Sequence, residues 1–127
     1  MGDFRDLKIY KKAFQNAMNI FEVSKKFPAD ERYSLTSQCR KSSRSVCSSI
    51  GEGYRKRQYQ KHFVAKSSDA DMENSETIVW LDFALACDYI TEEEYKTLVG
   101  QFEEVGRMLS HMIQFPEKYM GSLHSVH

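Results

Sequence analysis

Across residues 7–27 the apolar positions fall at Leu7, Tyr10, Phe14, Ala17 and Phe21, with Ile9, Ala13, Ile20 and Phe27 alongside. Steps of three and four are the helical period, and a stripe this wide suits a helix facing a bundle core. Pro28 stops it, because proline lacks the ladder donor and clashes with the preceding turn. A first helix over about 6–27 is predicted. A second reaches to about residue 50, carried by a thin apolar stripe of Leu35, Cys39, Val46 and Ile50. Either Asp30 caps it from about 31, or the chain turns through Tyr33 and restarts at Thr36. Around that stripe lie Ser42, Ser43, Ser45, Ser48 and Ser49, small side chains that let a neighbouring helix come close. Gly51-Glu52-Gly53 is expected to end it with a left-handed cap.

The third helix should be long, about 58–88. Its first half is polar, whereas residues 78–87 are apolar almost all round, and a helix apolar on every side is buried on every side. One bundle cannot cover all of that surface, so Ile78, Trp80, Leu81 and Phe83 are expected at an interface between subunits. Thr91-Glu92-Glu93-Glu94 reads as a capping box opening a fourth helix, about 92–115. Its stripe is Tyr95, Leu98, Phe102, Val105, Leu109 and Met112. Residues 116–127, after Pro116, are expected to be a frayed tail. The fold class is therefore all-α, an antiparallel up-down four-helix bundle in a single domain over 1–127.

Composition adds exclusions. Apolar residues make up 41% of the 127, too many for a disordered chain, and six glycines and two prolines are too few for a sandwich or barrel. No run of about 18 apolar residues and no signal-peptide pattern is present, so a cytoplasmic protein without a membrane partner is expected. Cys39, Cys47 and Cys87 lack metal-type spacing and read as reduced, buried thiols. Cys39 and Cys47, two turns apart on one helix, are too far apart for a disulfide.

Net charge is zero, but its arrangement is not neutral. Residues 1–66 hold 15 basic and 6 acidic side chains, residues 67–127 hold 3 and 12, so the halves carry +9 and −9. The densest positive set is Arg40, Lys41, Arg44, Arg55, Lys56, Arg57 and Lys61. Such a cluster is the footprint of phosphate-backbone binding. Equally, faces of opposite sign favour head-to-tail association into a ring, or the two halves neutralise each other inside one molecule. Tyr54 and Tyr59 flank the 55–57 basic run and either stack on unpaired bases or cover a loop.

Enzyme chemistry is not found. There is no phosphate loop, since Gly51-Glu52-Gly53 has neither the lysine nor the spacing. His62, His111, His124 and His127 are dispersed, with no pair at i, i+4 and no Glu-x-x-His, so no metal or cofactor is expected. The cysteines and the serine row lack a base in sequence, and His62 sits among basic neighbours as a solvated residue.

The run from Gln38 to Gly53, Gln-Cys-Arg-Lys-Ser-Ser-Arg-Ser-Val-Cys-Ser-Ser-Ile-Gly-Glu-Gly, resembles the signature of a bacterial family. Its members are small four-helix-bundle proteins encoded in intervening sequences of 23S ribosomal RNA genes. Gln38, Arg40, Ser45, Ile50, Glu52 and Gly53 carry the match, with Lys41 and Val46 conservative. Phe4 and Leu7, then Phe27-Pro28 with Glu31, Tyr33, Leu35 and Thr36, fit the approach, and Ser67-Ser68, Glu76, Leu81 and Tyr89-Ile90-Thr91 fit the third helix and its turn. The likeness covers residues 4 to about 113. Ser49 stands where the pattern has asparagine, Gly51 where it has alanine, and Ser42 and Ser43 also replace alanines. The resemblance implies a homo-oligomer, with pentameric rings known in the family, and no enzymatic activity. Related accessory proteins of diversity-generating retroelements bind nucleic acid and a reverse transcriptase, and those relatives are strongly basic where this chain is neutral. The expectation is thus a homopentamer acting as an RNA- or nucleoprotein-binding adaptor through the seven basic residues, without a small-molecule substrate. The alternative is a protein–protein scaffold whose charged faces serve ring assembly only. Glu52 is expected in an ion pair with Arg40, Arg44 or Arg55, within or across subunits.

Overall fold

A computed structural model describes residues 3–121. Four helices are present: α1 (Lys8–Ser24), α2 (Leu35–Arg55), α3 (Gln60–Ala86) and α4 (Glu92–Gln114), with 3-10 turns at Phe4–Asp6, Ala29–Glu31 and Pro116–Tyr119. The all-α fold expected from the hydrophobic pattern is the fold observed.

Each helix packs against its neighbours in the chain, and α1 closes the bundle on α4. The cross-helix contacts run in opposite sequence directions, as antiparallel neighbours require. Ser42 meets Thr77 and Ser49 meets Glu73 across α2–α3. Lys12 meets Glu104, Asn16 meets Gln101 and Lys26 meets Glu94 across α1–α4. Asn74 meets Phe102 and Asp82 meets Tyr95 across α3–α4. Two buried clusters fill the interior. One gathers Leu7, Ile9, Val46, Ile50, Tyr54, Phe63, Val105 and Leu109 at one end, the other Ile20, Phe27, Cys39, Leu81, Ile90 and Phe102.

The helix boundaries correct the sequence reading in three places. First, Asp30 does not cap α2: the chain turns through Tyr33 and restarts at Leu35, one residue before the alternative start at Thr36. After the Ala29–Glu31 turn the Glu31 carboxylate accepts from the Leu35 amide (3.2 Å) and from the Ser34 and Tyr89 hydroxyls (both 2.7 Å). This three-donor cap starts the helix at Leu35 and holds the Glu31 carboxyl below its ordinary pKa. Second, Gly51-Glu52-Gly53 does not end α2, which continues to Arg55. The glycines serve close approach instead. A Cβ at Gly53 would sit 3.0 Å from the Lys66 Cβ, and one at Gly51 3.0 Å from the Phe4 ring. Third, the segment after α4 is tied down as far as it is described. Pro116–Tyr119 forms a 3-10 turn, and the Tyr119 ring stacks on Phe63 at 5.9 Å. The remainder of the expected tail, 122–127, lies outside the described residues.

At α4 the capping box forms as read, with Thr91 Oγ1 accepting from the Glu94 amide (3.0 Å) and Glu94 Oε1 from the Thr91 amide (2.9 Å). At the end of α3, Asp88 takes a left-handed conformation (φ 62°) while the Tyr89 amide bonds back to the Ala84 carbonyl. Aspartate accepts that conformation more readily than most side chains.

The buried seam of α3 is Phe63, Ser67, Ala70, Asn74, Thr77, Leu81 and Ala84, spaced four and three throughout. Small and polar members keep α3 near its neighbours, and two of them bond across the seam: Ser42 Oγ to Thr77 Oγ1 at 2.7 Å, and Asn74 Nδ2 to the Phe102 carbonyl at 2.8 Å, while Asn74 Oδ1 has no partner among the described residues. Overpacking such a seam costs about 1–3 kcal/mol, and the Lys66 Cβ, fixed to its backbone, cannot rotate away. Gly100, inside α4, has open space where a Cβ would go. We therefore expect Gly100→Ala to stabilise the fold by about 0.5–1 kcal/mol, and Gly53→Ala to destabilise it by about 1 kcal/mol net. Urea denaturation of the two variants checks this, and equal stabilisation by both would show that α2 and α3 are not in tight contact at Gly53.

Candidate functional site

The inner face of α2 is occupied by α1 and α3, which leaves its outer face to the cations. Arg40 is held there by α1: its Nε donates to Ser24 Oγ (2.8 Å), and its guanidinium lies 4.8 Å from the Phe21 ring centroid. Arg44 shares the same ring at 5.9 Å. Lys41, one residue from Arg40, is exposed. Arg32 and Tyr33, from the turn before α2, complete a shallow open groove of about 630 Å3. Its remaining wall is hydroxyl-bearing, from Thr36, Ser37, Ser45 and Ser48, and no carboxylate lines it. Tyr33 is 86% exposed, with Arg32 5.7 Å from its ring. Sequence reading placed Tyr33 in a turn and in the family resemblance before α2, but not among the candidate binding residues.

The remaining cations form a separate group at the end of the bundle, about 22 Å along α2 from Arg40 at the helical rise. Arg55 and Lys56 line a second open depression with His62 and Lys66. Lys61 is exposed at the start of α3. Arg57 is engaged structurally: its guanidinium lies 3.9 Å from the Tyr54 ring centroid, and it donates to the carbonyls of Tyr54 (3.0 Å) and Gly121 (2.9 Å). The seven predicted basic residues thus fall into two groups rather than one patch. Among the described residues none of them forms an ion pair. Among the described residues, ion pairs between the two halves use other cations: Lys12–Glu104 at 3.1 Å, Lys26–Glu94, and Lys66–Asp69 at 3.8 Å, the last beside Arg55 and Lys56.

The other motif residues divide by role. Ile50 and Gly53 are buried in the packing of α2, Gln38 is exposed, and Ser45 is half-buried beside the basic groove. Glu52 pairs with Lys66 of α3 at 2.9 Å, not with Arg40, Arg44 or Arg55. The pair bridges α2 and α3 beside the Gly53 contact. Ser49, in place of asparagine, donates to Glu73 Oε1 at 2.8 Å, and burial pushes the Glu73 carboxyl above its ordinary pKa.

The expected apolar surface on α3 is present but differs in membership. Leu81 is 0% exposed and belongs to the core, so it cannot form a subunit contact. Phe83 is exposed, Ile78 and Trp80 are half-buried, and the outward stripe is completed by Met72 and Val79. Tyr54 is 2% exposed and cannot stack on a base, whereas Tyr59 is exposed.

Among the described residues no three His, Cys, Asp or Glu side chains are grouped to hold a metal ion, and no helix is long and apolar enough to cross a membrane. Burial pushes the Cys39 thiol up to about 12 and the Cys47 thiol up to about 11. Cys87 corrects the expectation of three buried thiols, since it is exposed at the end of α3.

Comparison with known proteins accords with this architecture. The profile described as 23S rRNA-intervening sequence protein matches residues 5–111, and the chain belongs to that family. Its structure is similar to the crystal structure of a protein with unknown function from the S23 ribosomal protein family of Bacteroides thetaiotaomicron VPI-5482. The TM-score is 0.77 at 24% identity, over 84% of this chain and 95% of the other. No curated protein matches the chain.

Thiolates, not thiols, react with alkylating reagents. With iodoacetamide at about pH 8, below both elevated pKa values, the folded protein should take up one label, at Cys87, and three after denaturation. Rapid labelling of Cys39 or Cys47 in the folded protein, read by peptide mass spectrometry, would contradict the packing described.

Proposed function

We propose that the protein is a non-enzymatic, oligomeric RNA-binding adaptor. It grips the RNA backbone along the outer face of α2 and stacks an unpaired base on Tyr33. The observation that carries this reading is the groove itself: Arg32, Arg40, Lys41 and Arg44 around one concavity, with no carboxylate in its wall. Phosphates neutralised there release counterions and supply affinity without reading sequence. An exposed tyrosine beside an arginine is a platform on which any base can stack, which favours single strands and loops over duplex. The hydroxyls of Ser37 and Ser45 are of the kind that bond ribose and phosphate oxygens. Arg55, Lys56 and Lys61 extend the positive field at the end of the bundle. Copies assemble through the outward stripe of α3, Met72, Val79 and Phe83 flanked by Ile78 and Trp80, as a ring that we take to be a pentamer in the cytoplasm.

A second reading has its own observation. The basic face of α2 forms no ion pair among the described residues, and Glu76, Glu93 and Glu103 are exposed on α3 and α4. The two signs would then meet between copies, and the charges would serve assembly alone.

Fluorescence anisotropy with a labelled single-stranded RNA and a hairpin of equal length separates the two readings. Lys41→Glu with Arg44→Glu, which spares the Arg40 anchor, should weaken binding of both RNAs at least tenfold and flatten the salt dependence by about two charges. Tyr33→Ala should weaken the single strand about fivefold or more and leave the duplex stem unchanged. Intact RNA binding after the charge reversal, with dissociation of the oligomer in sedimentation velocity, would establish the scaffold instead.

A further inference from the structure

A second concavity, sharing no residue with the α2 groove, lies between the start of α1 and the end of α4. It encloses about 450 Å3 and is more sheltered than the basic groove. That volume is in the range of small-ligand sites. Leu7, Ile9, Met108 and Met112 give it an apolar wall, and methionine adapts to varied ligand shapes. Tyr119, from the turn after α4, closes one side, and its hydroxyl meets His111 Nδ1 at 2.5 Å.

Tyr54 also contributes to this wall, and its hydroxyl is buried without a hydrogen-bond partner among the described residues. Leaving such a group unpaired is unfavourable, and native structures normally supply a partner from protein, water or ligand. The ring itself is fixed, packed in the core and covered by the Arg57 guanidinium. Asn74 Oδ1 and Trp80 Nε1 are likewise buried without a partner among the described residues, but of the three residues only Tyr54 lines this cavity.

Charge at the mouth sets the ligand's sign. Three ionisable side chains besides His111 reach the rim: Lys8, Arg107 and Glu104. Glu104 is engaged by Lys12 of α1 at 3.1 Å, whereas Lys8 and Arg107 form no ion pair among the described residues. The rim therefore presents two cations with no acidic partner among the described residues, over an apolar wall. A purely apolar ligand would leave the Tyr54 hydroxyl unpaired, and a cationic one would meet Lys8 and Arg107.

We infer that this cavity binds an amphipathic carboxylate, a medium-length acyl chain or an aromatic acid. Its apolar body lies on Met108 and Met112, and its carboxylate accepts from Tyr54 and faces Lys8 and Arg107. The site is distinct from the α2 groove and does not depend on RNA binding.

Decanoate, decylamine and decanol are matched probes for isothermal titration calorimetry and ligand-observed NMR on the full chain. Decanoate should bind saturably with one site per chain, decanol at least tenfold more weakly, and decylamine not at all. Lys8→Gln with Arg107→Gln, both at exposed positions, should weaken decanoate at least tenfold. Tyr54→Phe, which keeps the ring, should weaken it about fivefold, and Met108→Trp, which fills the cavity from a half-buried position, should abolish it. Met72→Lys with Phe83→Lys, on the α3 stripe, should leave binding unchanged. Absence of saturable decanoate binding, equal binding of decylamine, or loss of binding only in the α3 variant would overturn the assignment.

Discussion

The close contact of α2 with α3 is the constraint on which the rest of the molecule depends. It is made by residues with almost no side chain or with a short hydroxyl: Gly53 against Lys66, Ser42 against Thr77, Ser49 against Glu73. Small side chains contribute little transfer free energy individually. What they allow is proximity, and proximity brings two helices into contact over most of their length while their hydroxyls satisfy one another. Because the inward face of α2 is spent on small residues, its long side chains, Arg40, Lys41 and Arg44, all belong to the outward face. The same sequence therefore sets the tightest seam of the bundle and the most positive surface.

How legible this was in the sequence follows from particular side chains. The stripe of α4 is buried from Leu98 to Met112, and its capping box is a local motif with a local geometry, so both read correctly. In α1 the phase was off: Ile9, Ala13, Asn16, Ala17 and Ile20 form the buried face, whereas Phe14, read in the stripe, is exposed. The serine row of α2 was readable as a close-packing face because small residues at helical spacing have that one consequence. The glycines after it were misread. Glycine serves both as a helix terminator and as a site of close approach, and nothing local separates the two uses. The Phe4 ring and the Lys66 Cβ, which decide the matter, come from elsewhere in the chain. Similarly, Glu31 caps α2 from beyond the usual cap position, with a partner in Tyr89 that only the folded chain supplies.

α3 shows the limit of hydrophobic patterning most clearly. Its buried seam includes Ser67, Asn74 and Thr77, while its exposed side carries Met72, Val79 and Phe83. Apolar character is spread around the helix, so periodicity could not point to the core, and Leu81 was assigned outward when it faces inward. The surplus of apolar surface was nevertheless inferred correctly, because it follows from composition rather than from phase. The candidate site was half legible in the same sense. Charge clustering along the chain identified Arg40, Lys41 and Arg44, but linear proximity also swept in Arg57, which the fold commits to Tyr54 and Gly121. Tyr33 was invisible as part of the groove, since only the turn before α2 places it beside the cations.

The central claim is that the outward face of α2, freed by its small-residue seam, is the surface that meets RNA. The most direct test is to follow backbone amide shifts in uniformly 15N-labelled protein during titration with a short single-stranded RNA. The account predicts shifts concentrated on residues 32–48, with the Tyr33 ring resonances moving and the α3 seam from Phe63 to Ala84 undisturbed. Shifts confined to the α3–α4 side, or none at RNA concentrations that saturate other single-strand binders, would contradict it.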